Sequence, residues 1–77
     1  MSKQKHQATL DVQLIEDEID RQDMSMEFFF DAAAIGKSTW HRIKRSQTAS
    51  IHVSCAIAYA LGISPDSIII RRFKTRK

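Results

Sequence analysis

The chain has 77 residues, 43% hydrophobic and 27% charged, with a net charge of +3. That length holds one small domain, with no room for a second core or a substrate-enclosing barrel, and the composition is that of a chain that folds by burying apolar side chains. One cysteine, Cys55, excludes an internal disulfide, and the start MSKQKHQATL has no apolar run of the signal-peptide kind, so a cytoplasmic setting is expected. The apolar stretches 28–30, 32–35, 55–61 and 68–70 all fall far below the ~20 residues that span a bilayer.

The charge is unevenly distributed. Residues 1–31 carry three bases (Lys3, Lys5, Arg21) against eight acids, whereas residues 32–77 carry nine bases against Asp66 alone. A basic half focuses positive potential toward a polyanion, most often nucleic acid, and the acidic half is poorly suited to touching one.

In chain order, residues 1–9 are expected to be a flexible segment, 10–70 the folded domain and 71–77 a basic tail. Leu10, Leu14, Ile15 and Ile19 recur at helical intervals with Asp11, Glu16, Asp17, Glu18 and Asp20 between them, predicting an amphipathic first helix. Gln22-Asp23 can end it, because Asp tolerates the left-handed cap conformation. Ser25 is a good N-cap for a second helix reaching about Ala33, with Glu27 in its first turn. Gly36 breaks the run, and Lys37 to Arg45 predicts a short basic third helix with Trp40 and Ile43 on its inner face. Phe28 to Phe30 cannot all face inward, and Phe28 is expected outside.

Residues 46–50, SQTAS, read as a polar connection in which Ser50 caps a fourth helix. Its buried stripe would draw on Ile51, Cys55 or Ala56, Ile57, Ala58 and Leu61, ending at Gly62. Cys55 is expected in the core. Ser64-Pro65-Asp66 supplies an N-cap, a proline at the first helical position and a first-turn acid, predicting a fifth helix through 68–70. No strand alternation demands a sheet, although 67–73 could be extended as easily as helical. The expected fold class is all-α, a compact bundle of about five short helices.

Two short helices joined by a tight turn, the second one basic, have the geometry of a helix-turn-helix, in which a braced helix leaves one face free for the major groove. The stretch SMEFFFDAAAIGKSTWHRIKRS resembles, without a gap, the pattern S-Q-E-E-L-A-x-x-A-G-V-S-R-S-T-I-S-R-I-E-R-G of the lambda-repressor-like (Cro/CI, XRE-type) DNA-binding domains, and ALGISPDSII, residues 60–69, is similar to that family's A-L-G-V-S-x-D-x-L-L ending. The resemblance covers roughly residues 10–70. It implies a five-helix bundle with Lys37 to Arg45 as recognition helix. It also implies base contacts at Lys37, Ser38 and Arg42, with Thr39 or His41 assisting, and a backbone contact at Arg45. Three positions depart from the pattern: Met26 replaces a Gln that contacts the DNA backbone, Phe30 a small Ala between the helices, and Ala34 the turn Gly that tolerates positive φ.

Arg42 can donate two parallel hydrogen bonds to guanine O6 and N7, worth roughly 1–3 kcal/mol of discrimination. Lys37, Lys44 and Arg45 suit phosphate neutralisation, which carries little sequence information. Ser25, Arg71 and Arg72 join Lys44 and Arg45 as expected phosphate contacts, with the tail bases following the backbone, reaching a minor groove, or simply solubilising the end. Trp40 is expected as a buried wedge. Enzyme readings fail on inventory: His52-x-x-Cys55 has metal-like spacing but lacks partners for a four-ligand site, and neither a phosphate loop nor a nucleophile triad appears.

These features together predict a phage- or plasmid-type, Cro-like repressor of double-stranded DNA, without cofactor, metal or small-molecule ligand. It would act as a homodimer on a pseudo-palindromic operator, paired through 68–73 or the exposed phenylalanine. The rival is a helical protein-interaction module of the same fold, antitoxin-like or an anti-repressor adaptor, without specific DNA binding.

Overall fold

The computed structural model describes residues 4–76, and side chains over 7–71. In order along the chain come β1 (Gln4–Leu10), α1 (Val12–Arg21), α2 (Met26–Ala33), α3 (Lys37–Ser46), β2 (Thr48–Ser50), α4 (Ile51–Leu61), α5 (Pro65–Ile68) and β3 (Ile69–Arg76). The chain is mostly helical and holds the five short helices expected; a three-stranded antiparallel sheet of order β2-β1-β3, absent from the all-α expectation, joins them.

Local side-chain chemistry sets the helix boundaries. Asp11 caps α1, its carboxylate accepting the Leu14 N–H at 3.1 Å. Ser25 caps α2 through Phe28 N–H, and Ser50 caps α4 through Val53 N–H, each at 3.1 Å. Each such cap satisfies one of the N–H groups that a helix start leaves without a partner. Asp23 takes φ 54° after α1, and Pro65 opens α5 behind the Ser64 cap.

The sheet is where sequence expectation and structure part. The lead-in expected to be flexible forms β1 from Gln4 onward; residues 1–3 lie outside the described residues. The basic tail pairs as β3, and the fifth helix stops at Ile68. The polar connection forms β2. Strand β1 holds β2 on one edge (Ala8 opposite Ala49) and β3 on the other (Thr9 opposite Arg71). At the end of β1, Leu10 N–H donates to the Gln47 carbonyl, and just past it Asp11 N–H donates to the Ile68 carbonyl, both at 2.8 Å. These bonds tie three chain segments together at the point where the sheet meets the helices.

Ala8, Leu10, Val12, Ile15, Ile19, Phe29, Ala33, Trp40, Ile43, Ala49, Ile57, Ala58, Leu61 and Ile68 form one continuous core. Leu10 therefore belongs to a strand, and Val12 begins the buried stripe of α1. On α4 the inward position is Ser54 and not Cys55, which is exposed. Ser54 is tolerated inside because its hydroxyl donates to the Ser50 carbonyl at 2.8 Å, and no buried side-chain polar atom among the described residues lacks a partner. Gln22 links α1 to α4, donating from its amide nitrogen to the Leu61 carbonyl at 2.8 Å.

The departures at Ala34 and Phe30 have distinct structural outcomes. Ala34 takes the left-handed conformation, φ 58° and ψ 42°, at the end of α2, so the turn keeps its shape although an alanine occupies it. Phe30 turns to a half-buried flank, its ring centroid 6.1 Å from that of Phe29. A Cβ in the left-handed region costs about 1–2 kcal/mol, partly offset in a glycine variant by the extra freedom of the unfolded chain, about 0.4–1 kcal/mol. Ala34→Gly is therefore expected to raise the melting temperature by roughly 2–8 °C; a lower one would contradict the strain at this turn.

Candidate nucleic-acid interface

Helix α3 is fixed from behind. Trp40 is 2% exposed and Ile43 is buried, and the Trp40 ring meets Phe29 edge-on with centroids 5.2 Å apart. At 100° per residue, the positions opposite Trp40 are Ser38, Arg42 and Arg45, with His41 beside them. All four are exposed. The helix begins at Gly36, which provides no side-chain cap, so its first N–H groups lack that form of satisfaction and the positive end of the helix dipole is unmasked.

The candidate contact residues on α3 divide into three places. Ser38, His41 and Arg42 share the outward face, with Arg45 alongside. Lys37 and Lys44 lie on one flank, lining with His41 a groove of about 570 Å³ whose other walls are Glu16, Met26, Glu27, Phe30 and Trp40. Lys37 and Arg42 therefore point to different flanks. Lys44 is half-buried, 3.6 Å from a Glu16 carboxylate oxygen and 6.0 Å from the Trp40 ring centroid. Thr39 is half-buried on the opposite flank.

Among the described residues, no carboxylate pairs with Lys37, Arg42 or Arg45. Ser25 is exposed at the start of α2, its oxygen engaged by Phe28 N–H while its own O–H stays available to donate. Arg71 is exposed on β3, separated from β2 by β1 and hence by roughly 10 Å of sheet. Arg72 sits opposite Ala8 in the strand register, and its side chain lies outside the described residues.

A hydroxyl cluster beside Arg42 was not singled out in the sequence. Ser46, Thr48 and Ser50 line a second hollow with Arg42, Gln7 and Val53, and the Thr48 hydroxyl lies 3.0 Å from that of Ser46. The signal was there in SQTAS, three hydroxyl residues directly after a basic helix. The left-handed Gln47 (φ 59°) folds them back toward α3.

The acids collect on α1 and the start of α2. Glu16, Asp17, Asp20 and Asp23 surround a shallow hollow with Ile19, Met24 and Met26. Among the described residues, no group of three or more His, Cys, Asp or Glu side chains is placed to hold a metal ion, and no helix is long and apolar enough to cross a membrane. No family model, curated protein or solved structure matches the chain.

The Glu18 carboxyl is held below the usual carboxylate range, first by its hydrogen bond from Arg21, 2.6 Å from Nη2, and then by that from Gln22 at 3.1 Å. With the folded value depressed, the contribution to stability is present above the unfolded-chain pKa and is lost as pH falls through the folded one. In an acid titration followed by NMR, Glu18 should protonate at lower pH than in the unfolded chain, and Arg21→Gln should remove most of that difference. An identical Glu18 titration in the variant would contradict the pairing.

Proposed function

We propose that the protein is a sequence-specific, double-stranded DNA-binding transcriptional regulator, a Cro-like repressor that inserts α3 into the major groove. The observation carrying this reading is the division of α3. Trp40 and Ile43 anchor one side in the core, while Ser38, His41, Arg42 and Arg45 stand together on the other, with no carboxylate partner among the described residues. An exposed basic helix braced in this way suits the width of the major groove. The resemblance of residues 25–46 and 60–69 to lambda-repressor-like domains points the same way, and the left-handed turn kept at Ala34 supports the gapless match.

In this mechanism Arg42 donates two parallel hydrogen bonds to guanine, with Ser38 and His41 beside it as further base contacts and Lys37 and Thr39 reaching bases from the two flanks of α3. Arg45, Lys44, Ser25, Arg71 and Arg72 neutralise or donate to phosphates. A two-fold dimer on a pseudo-palindromic site doubles the small surface one helix can read, and occupation of a promoter excludes polymerase.

Selection of bound duplexes from a random pool tests the reading. Enrichment of a two-fold symmetric motif is expected; no enrichment by folded protein would overturn it and favour the protein-interaction module. With the selected site in hand, Arg42→Ala should relax preference at one base pair per half-site, by roughly 1–3 kcal/mol, with little change in salt slope. Arg45→Gln should weaken all sequences alike and lower the slope of log affinity against log salt by about one. Exchanged behaviour of the two variants would reverse their roles.

A further inference from the structure

Helix α4 is the exception in a polarised molecule. Its 11 residues, IHVSCAIAYAL, include no Asp, Glu, Lys or Arg, whereas each of the other helices carries at least one. Ser54, Ile57, Ala58 and Leu61 fill its inner side. Its outer side presents His52, Cys55, half-buried Ala56 and Tyr59, the last 84% exposed. These four occupy positions i, i+3, i+4 and i+7 and so form one stripe along the helix. Helices without a charged side are ordinarily covered on all sides. Here one side is open to solvent.

We propose that this stripe is the surface on which a second copy of the chain docks, α4 against α4 about a two-fold axis. In a two-fold interface each patch meets itself, so a patch of one charge sign opposes its own kind. That condition disfavours the faces of one charge sign among the described residues. The outer side of α1 offers Asp17 and Asp20. Phe28, 59% exposed on α2, has Glu27 beside it and Asp31 one turn on. The outward side of α3 offers Arg42 and Arg45, and the free edge of β3 runs through Arg71 and Arg72 in a strand that also holds Lys74 and Arg76. The α4 stripe brings no charged residue against its copy.

Its shape suits the same occupant. Cys55 and Ala56, small residues at mid-stripe, let two helices approach closely, and Tyr59 supplies each copy with an aromatic anchor whose hydroxyl stays at the wet rim. The inference deepens the reading of a two-fold DNA-binding dimer, but the pairing requires no DNA and is measured without it.

Sedimentation velocity of the full chain under reducing conditions, without DNA, is the test. At about 100 μM, wild type is expected to be dimeric. Tyr59→Glu should raise the dissociation constant at least about tenfold while leaving circular dichroism and melting unchanged, and Phe28→Ser should leave association intact. Under mild oxidation, Cys55 should link copies faster in wild type than in Tyr59→Glu. A monomeric wild type would overturn the proposal, as would a dimer lost in Phe28→Ser but kept in Tyr59→Glu. A dimer that passes these tests yet enriches no DNA motif would leave the interface standing and overturn the DNA-binding reading alone.

Discussion

The structure depends on the burial of Trp40. Its indole lies between α2 and α3 with an edge against Phe29, and it determines which side of α3 faces inward. Because helical geometry places Ser38, Arg42 and Arg45 opposite that ring, the core contact and the exposed basic face are one decision made twice. Truncating a buried aromatic of this size costs about 3–5 kcal/mol, a large fraction of what so small a domain has to spend. The rotation of α3 is thus held by the same interaction that holds the fold.

Around that anchor the charges are sorted by element. Acids gather on α1 and the first turns of α2, bases on α3 and β3, and α4 has neither. The contact between the acidic and basic regions is local. Glu16 of α1 reaches Lys44 at 3.6 Å, and Lys44 lies near the Trp40 ring, which draws this lysine toward the helical groove and away from the outermost face. Arg42 and Arg45 have no comparable partner among the described residues. On the proposed reading, a polyanion approaching α3 therefore meets two arginines that need break no ion pair, while α1 turns its like charge elsewhere.

Much of the helical frame was legible because it is written in short-range chemistry. Ser25, Ser50 and Ser64-Pro65 act within three residues of themselves, and the left-handed tolerance of Asp23 is a property of that residue alone. The burial of Trp40 and the exposure of Phe28 followed from helical spacing. The sheet was not legible for the opposite reason. Strand β1 pairs with β3 more than 60 residues away, from Thr9 to Arg71 and Ala8 to Arg72, and neither QKHQATL nor IIRRFKTR shows the apolar alternation that marks a strand. Cys55 was misplaced because residue type suggests burial, whereas the Ser54 hydroxyl can return its hydrogen bond to Ser50 and so occupy the inner position. In the candidate site, residue types were legible but their flanks were not: the placement of Lys37 and Lys44 with Glu16 and Glu27 arises from packing between helices distant in sequence.

The most direct test of the central claim, that the face of α3 opposite Trp40 is the nucleic-acid surface, is amide NMR during titration of the folded protein with a duplex at low salt. The account predicts that the largest shifts fall on Ser38, His41, Arg42 and Arg45, with the outer positions of α1 unmoved. Shifts centred on Asp17 and Asp20, or none at salt low enough for any phosphate binder to engage, would contradict it.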